Sequence, residues 1–191
     1  MLKSIYDFQD MIKLVDLSKG YRLNDFTCEF EEYNKFLRDE ALGLQEAEIS
    51  KVHLLINKEN ADVIAFMSLS TDSIKLSPSE KDTHKIGFVN FEAIASVKMG
   101  KLAVDLKYKD RFRDIGSLMI ELAIGITDDL RNVGVACRFI IVDADIKNNP
   151  TVVDFYKKQR FELNEKYKKG RNPSMRLDVV DDFVIIEETG T

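Results

Sequence analysis

The 191-residue chain is 45% hydrophobic and 32% charged, a mix that excludes a disordered chain. Nine glycines and three prolines exclude collagen-like and other fibrous classes. The net charge of −5 weighs against a dedicated nucleic-acid binder and leaves room for a local basic patch. Residues 1–191 are expected to form a single domain that buries a core without disulfides. Cys28 and Cys137 lie far apart and belong to no CxxC pair, so neither a disulfide framework nor a metal site is expected. No stretch approaches the roughly 18 apolar residues of a membrane span. The opening MLKSIYDFQDMIK is broken by Asp7 and Asp10 and lacks an apolar h-region, which predicts no signal peptide and a cytoplasmic protein.

In chain order, residues 11–17 alternate loosely and suggest a first strand. Over 29–48, Phe30, Tyr33, Leu37, Ala41 and Leu44 recur at helical spacing, with Gly43 as a point where the helix could split. Residues 51–57 and 62–70 read as strands joined by the short polar KENA turn, a hairpin. Residues 75–93 are polar and irregular and read as a surface loop or insertion. A long strand follows at 94–105, with Gly100 as a bulge or bend. Ile115, Leu118, Met119, Leu122, Ala123, Ile126 and Leu130 then form a helical stripe. Residues 137–144 are apolar on both alternating faces, as in a strand covered on both sides. Asn149-Pro150 reads as the start of another helix, and strand-like runs follow near 159–165 and 174–185. The unit 94–144 needs a right-handed crossover, which makes its two strands parallel. With the hairpin this gives a mixed α/β fold, one mixed sheet with helices on both faces.

The turn 106–114 feeds directly into the strong helix. It carries Lys107, Lys109, Arg111 and Arg113 against Asp110 and Asp114. Helix N-termini present free N–H groups and partial positive charge, and Gly116 allows close backbone approach. The turn reads either as a phosphate-binding loop or as a solvated charged turn.

Gly100 to Asp105, the basic turn, Ile115-Gly116 and the apolar helix resemble motif A of the GNAT acetyltransferases. That family's phosphate loop is Arg/Gln-x-x-Gly-x-Gly/Ala, and Arg111-Phe112-Arg113-Asp114-Ile115-Gly116 matches its first and last positions. Residues Asn149 to Lys158 resemble the family's N-P-x-x-x-x-F-Y-x-K segment. Phe26-Thr27-Cys28 and Asn34-Lys35-Phe36-Leu37 resemble the opening of a bacterial subgroup, some of whose members are toxins that acetylate aminoacyl-tRNA. The resemblance runs from about residue 12 to 178. Two glycines of the family pattern are replaced, by Asp114 in the loop and by Arg160 before the closing Phe161. An aspartate beside a pyrophosphate is unfavourable, so Asp114 is expected to point away and cap the helix.

The resemblance implies a GNAT-like acyl-CoA N-acyltransferase fold whose central parallel strands splay apart. It implies acetyl-CoA as co-substrate, no metal, and direct attack of a primary amine in a ternary complex. Leu102, Ala103 and Val104 would bond the pantetheine. Arg111, Arg113, Asp114, Ile115, Gly116 and Ser117 would hold the pyrophosphate, with Asn149 also on the cofactor side. Tyr156 would protonate the leaving thiolate; without the resemblance it reads as a core tyrosine. Glu92, Asp72 and Asp105 are candidates for the amine's base, with water as the alternative. His53 lies in a strand run and reads as structural, and His84 falls in the polar loop. Both cysteines read as core. Lys166, Lys168, Lys169, Arg171 and Arg176 form a basic stretch ahead of an acidic tail at about 178–191. The stretch reads either as a solvated loop or as a lip for an anionic substrate. The acceptor stays open between a small molecule, a peptide and aminoacyl-tRNA. An antitoxin partner and a homodimer are open as well. The alternatives to a general N-acetyltransferase are an aminoacyl-tRNA-acetylating enzyme of the toxin type and a degenerate GNAT-fold module that binds CoA without turnover.

Overall fold

A computed structural model of the chain describes residues 2–167 and 172–180. The chain begins with β1 (Lys3–Ser4), a 3₁₀ stretch (Ile5–Met11), β2 (Ile12–Asp16) and a 3₁₀ turn (Leu23–Asp25). Next come α1 (Glu31–Lys35), a π-helical segment (Phe36–Glu40), α2 (Ala41–Glu46), β3 (Lys51–Asn57), β4 (Val63–Lys75) and α3 (Pro78–Thr83). β5 (Ala93–Val104), α4 (Leu106–Lys109), β6 (Phe112–Arg113) and α5 (Ile115–Asn132) follow. The described chain closes with β7 (Phe139–Asp143), α6 (Val152–Lys158), β8 (Glu162–Leu163), a 3₁₀ turn (Glu165–Tyr167) and β9 (Ser174–Asp178). Seven strands form one mixed sheet in the order β2-β3-β4-β5-β7-β9-β8, and β1 pairs with β6 separately. β5 and β7 run parallel over Ser96–Lys98 and Phe139–Ile141, as the crossover predicts, and β5 continues to Val104. No helix among the described residues is long and apolar enough to cross a membrane.

The chain packs as two compact units, Met1–Ser70 with Met99–Ala123, and Thr71–Lys98 with Ile124–Thr191. In the first unit β2, β3 and β4 form an antiparallel meander. The helix over 31–46 is covered on one side by it. Gly43 does not split this helix; the register changes earlier, at the π-helical Phe36–Glu40. A π segment adds a residue to the turn, and both Phe36 and Leu37 become buried. Phe66 sits at the centre, with ring centroids 5.4 Å from Phe26 and 6.0 Å from Phe36. Truncating such a buried phenylalanine to alanine costs about 3–5 kcal/mol. The buried Asn34 side chain grips the Cys28 backbone, accepting from its N–H at 2.8 Å and donating to its carbonyl at 3.3 Å. That bond pair is the physical content of the Cys28…Asn34 pattern. Gly100 lies against β4: an added Cβ would come 3.1 Å from the Ser68 hydroxyl, which also accepts the Lys101 N–H at 3.0 Å.

The second unit corrects the loop reading of 75–93. Ile74, Leu76, Ile86 and Ile94 form a core cluster with Phe139 and Ile141. The segment folds into α3 because Ser77 and Glu80 build a capping box around its first turn, which Pro78 opens. His84 is buried in a polar network, not in an exposed loop. Its Nδ1 donates to Asp178 at 2.8 Å and its Nε2 accepts from Arg176 Nε at 2.9 Å. Arg176 is 3% exposed and pairs with the equally buried Glu80 at 2.8 Å, with Glu162 at 2.8 Å and with Asn164 Oδ1 at 3.0 Å. Arg138 joins through Asp178 at 2.7 Å. Arg176 therefore belongs to the interior and not to a basic lip. Lys168, Lys169 and Arg171, and the acidic tail beyond Val180, lie outside the described residues. The last helix also starts later than Asn149-Pro150 predicts: Thr151 precedes the first residue of α6, and Asn149 Oδ1 accepts from the Thr151 N–H and hydroxyl.

Four helices among the described residues end the same way. A residue with positive φ follows the last turn at Glu48, Lys85, Gly134 and Arg160. The next N–H reaches back to a carbonyl inside the helix: Ile49 to Leu44, Ile86 to Lys81, Val135 to Leu130 and Phe161 to Tyr156. This is the Schellman closure, in which glycine is the favoured left-handed residue. Here glycine fills one of the four.

Candidate active site

The basic turn is more structured than its sequence suggests. Asp105 follows β5 and caps α4, its Oδ1 accepting from the Lys107 N–H at 2.9 Å and its Oδ2 from the Thr27 N–H at 2.8 Å. With both oxygens engaged on backbone donors, Asp105 is a structural carboxylate and not the amine's base. β6 follows α4 and pairs in parallel with β1, Lys3 against Phe112 and Ser4 against Arg113. Arg111 and Arg113 are exposed, Gly116 and Ser117 half-buried and Ile115 buried. Asp114 has φ +70° and its carbonyl accepts the Leu118 N–H at 3.0 Å, the first bond of α5. Its carboxylate does not cap the helix as expected. Its partners among the described residues are the Ser4 hydroxyl, 3.1 Å from Oδ2, and Arg113, at 3.5 Å.

On β5, Ala103 is buried in the core with Phe36 and Phe66, and Leu102 and Val104 are half-buried. An adjoining cavity of about 260 Å³ is lined by Arg22, Asp62, Lys107 and Tyr108. Its charges satisfy one another. Hydrogen bonding from Lys107 holds the Asp62 carboxyl below its ordinary range, and Tyr108 and Arg22 add to this.

In the second unit, Tyr156 lies in α6 and is 8% exposed, between Phe155 and Phe161 at centroid distances of 5.2 and 5.1 Å. Burial, with the Asp145 charge, pushes its pKa to about 12. The hydroxyl therefore stays protonated at neutral pH, as a proton donor must be. The remaining base candidates are poorly suited. Glu92 is exposed and held below the ordinary carboxyl range by its bond to Lys75. Asp72 is exposed, with its side chain folded onto the Ser73 N–H. His53 sits 3.0 Å from Asp16, and burial drives its pKa down. Cys28 and Cys137 are buried, and burial raises both thiols. Among the described residues no cluster of His, Cys, Asp or Glu could hold a metal ion.

Sequence reasoning missed the contacts of Ser4 and Tyr6, whose hydroxyls donate to Asp114 and Glu121. They accompany the β1–β6 pairing, which joins residues more than 100 apart and leaves no local pattern.

No protein-family model matches the chain, and neither does any curated protein. Solved structures do. AtaT complexed with acetyl-methionyl-tRNAfMet superposes with a TM-score of 0.76 at 19% identity, covering 92% of this chain and 99% of that one. A tyrosine-to-phenylalanine variant of KacT gives 0.74 at 15% identity, covering 92% and 99%. AtaTR bound with acetyl-CoA gives 0.72 at 19% identity, covering 93% and 99%. At this identity the likeness establishes the fold: the chain is a mixed α/β protein that folds as these proteins do, in the GNAT-like fold its motifs predicted.

Proposed function

We propose that the protein is an acetyl-CoA-dependent N-acetyltransferase whose acceptor is the amine of an aminoacyl-tRNA. The observation that carries this is the basic turn 106–113 delivered onto the N-terminus of an 18-residue helix, in a chain folded like AtaT. The residues fit the cofactor's diphosphate. Backbone N–H groups of the first helical turn lack partners within the helix, Arg111 and Arg113 are exposed beside them, and the Asp114 carboxylate is engaged elsewhere. Leu102 to Val104 supply backbone groups for the pantetheine, and Asn149 belongs to the same reading.

The amine attacks the thioester carbonyl and forms a C–N bond. The tetrahedral intermediate then collapses with loss of the C–S bond. Tyr156 gives its proton to the departing thiolate, the amine's proton leaves to water, and the phenolate takes a proton back from solvent. An α-amine with a pKa near ~8 is partly neutral already and needs no strong base, which agrees with the absence of a suitable carboxylate among Asp72, Glu92 and Asp105. An acidic residue in the phosphate loop would favour a degenerate module over an enzyme; the Ser4–Asp114 bond weakens that alternative, because it engages the carboxylate.

AtaT complexed with acetyl-methionyl-tRNAfMet supports the acceptor class. AtaT bound to the C-terminus of AtaR supports an antitoxin-type protein partner. A cytoplasmic location and a homodimer belong to the same proposal. The test is free thiol release from acetyl-CoA against charged tRNAs, uncharged tRNA, peptides and small amines. Release with charged tRNA, and N-acetylaminoacyl-tRNA as product, is expected. Release with small amines alone would move the acceptor class, and release with none would remove the enzyme reading.

A further inference from the structure

The N-terminal segment grips the loop 111–117 at several points within one compact unit. β1 lies in parallel against β6. The Phe8 ring meets Phe112 edge-on, centroids 4.6 Å apart. Tyr6 donates its hydroxyl to Glu121, in the second turn of α5, and Ile5, 1% exposed, anchors the segment in the core. At the centre, Ser4 Oγ donates to Asp114 Oδ2. An aspartate just before a helix ordinarily turns its carboxylate back onto the free N–H groups of the first turn. Those are the donors an anionic ligand needs, and a carboxylate there would both occupy them and repel the ligand.

We propose that Ser4 is a positioning residue for the phosphate loop: its hydroxyl draws the Asp114 carboxylate away from the helix N-terminus and so keeps the loop open to a diphosphate. Arg113 assists from the same side, at 3.5 Å from the same oxygen. The segment 3–11 thereby tolerates an acidic residue in a loop whose ligand is acidic. The inference rests on the acetyl-CoA reading above and concerns only how Asp114 is accommodated.

The experiment is calorimetric titration of acetyl-CoA into the parent protein, Ser4→Ala, Ser4→Thr, Asp114→Asn and Ser4→Ala/Asp114→Asn. Ser4→Ala is expected to raise Kd about tenfold, with KM rising and kcat unchanged where turnover is measured. Ser4→Thr keeps the hydroxyl and restores binding. Asp114→Asn binds at least as tightly as the parent, and adding Ser4→Ala to it changes nothing, because no charge is left to hold aside. Parent-like binding by Ser4→Ala overturns the proposal. So does an equal loss in the Asp114→Asn background, which would make the serine merely structural. A parent protein that does not bind acetyl-CoA at all would overturn the cofactor reading and this inference with it.

Discussion

Phe161 donates its N–H to the Tyr156 carbonyl at 3.0 Å and lays its ring against the tyrosine's, centroids 5.1 Å apart. The two contacts are the backbone and side-chain halves of the closure that ends α6 and hold the proposed acid in place. The left-handed residue between them is Arg160, at φ +66°. It stands where the resembled family carries glycine, as Asp114 does at φ +70°. At both positions the backbone holds the conformation that glycine adopts most easily.

Lys85→Gly, at the exposed left-handed position that ends α3 at φ +56°, is therefore expected to stabilise the protein by about 0.5–1 kcal/mol, the left-handed penalty exceeding glycine's added chain entropy. Asp114→Gly gains less, because it also loses the Ser4 bond. Urea denaturation of the two variants checks the order; a destabilised Lys85→Gly would contradict it.

Arg176 and Glu80 form a buried pair whose members each need the other. Removing one charge of such a pair costs about 3–5 kcal/mol, so Arg176→Ala should melt far below the parent. An arginine on a solvated lip would cost almost nothing.

The same network sets an acid limit. Burial alone would raise the Asp178 carboxyl, but bonds from His84 and Arg138 outweigh it and the net shift is downward. Glu80 is likewise lowered against its burial, by backbone N–H groups of Ser77 and Glu165 and by Arg176. A lowered folded-state pKa gives stability that is present above the unfolded value near ~4 and lost as pH falls through the folded one. Unfolding free energy should hold steady from neutral pH to about 4 and then fall. Asp178→Asn should be less stable at neutral pH and show a shallower acid decline, measured by urea midpoints across pH.

Tyr156→Phe keeps the ring and its packing on Phe155 and Phe161. The expected result is a kcat lower by about 10²–10⁴-fold with acetyl-CoA affinity unchanged. A tyrosine that only fills the core would leave turnover at the parent rate.

The long apolar signals were legible in the sequence. The α5 stripe, the buried strand Phe139–Asp143 and the hairpin were read where they stand, and with them the parallel β5–β7 pair in a mixed sheet. What escaped were features whose meaning depends on a distant partner. Glu80, His84 and Arg176 are polar and read as surface until their mutual bonds are seen. The β1–β6 pair is two residues long and non-local. The π segment has no sequence mark beyond the adjacent burial of Phe36 and Leu37, and helix ends at Glu48, Lys85 and Arg160 lack the glycine that usually announces them.

The central claim, that the loop at the start of α5 holds the diphosphate of acetyl-CoA, is tested most directly by thermal melting with acetyl-CoA and with dephospho-CoA. At about 100 times Kd, binding adds about 2.7 kcal/mol and should raise Tm by about 5–10 °C. Dephospho-CoA keeps the diphosphate and should give most of that shift, and Gly116→Val should remove it by blocking the backbone approach. A melt unmoved by millimolar acetyl-CoA, or a shift that survives Gly116→Val in full, would contradict the account.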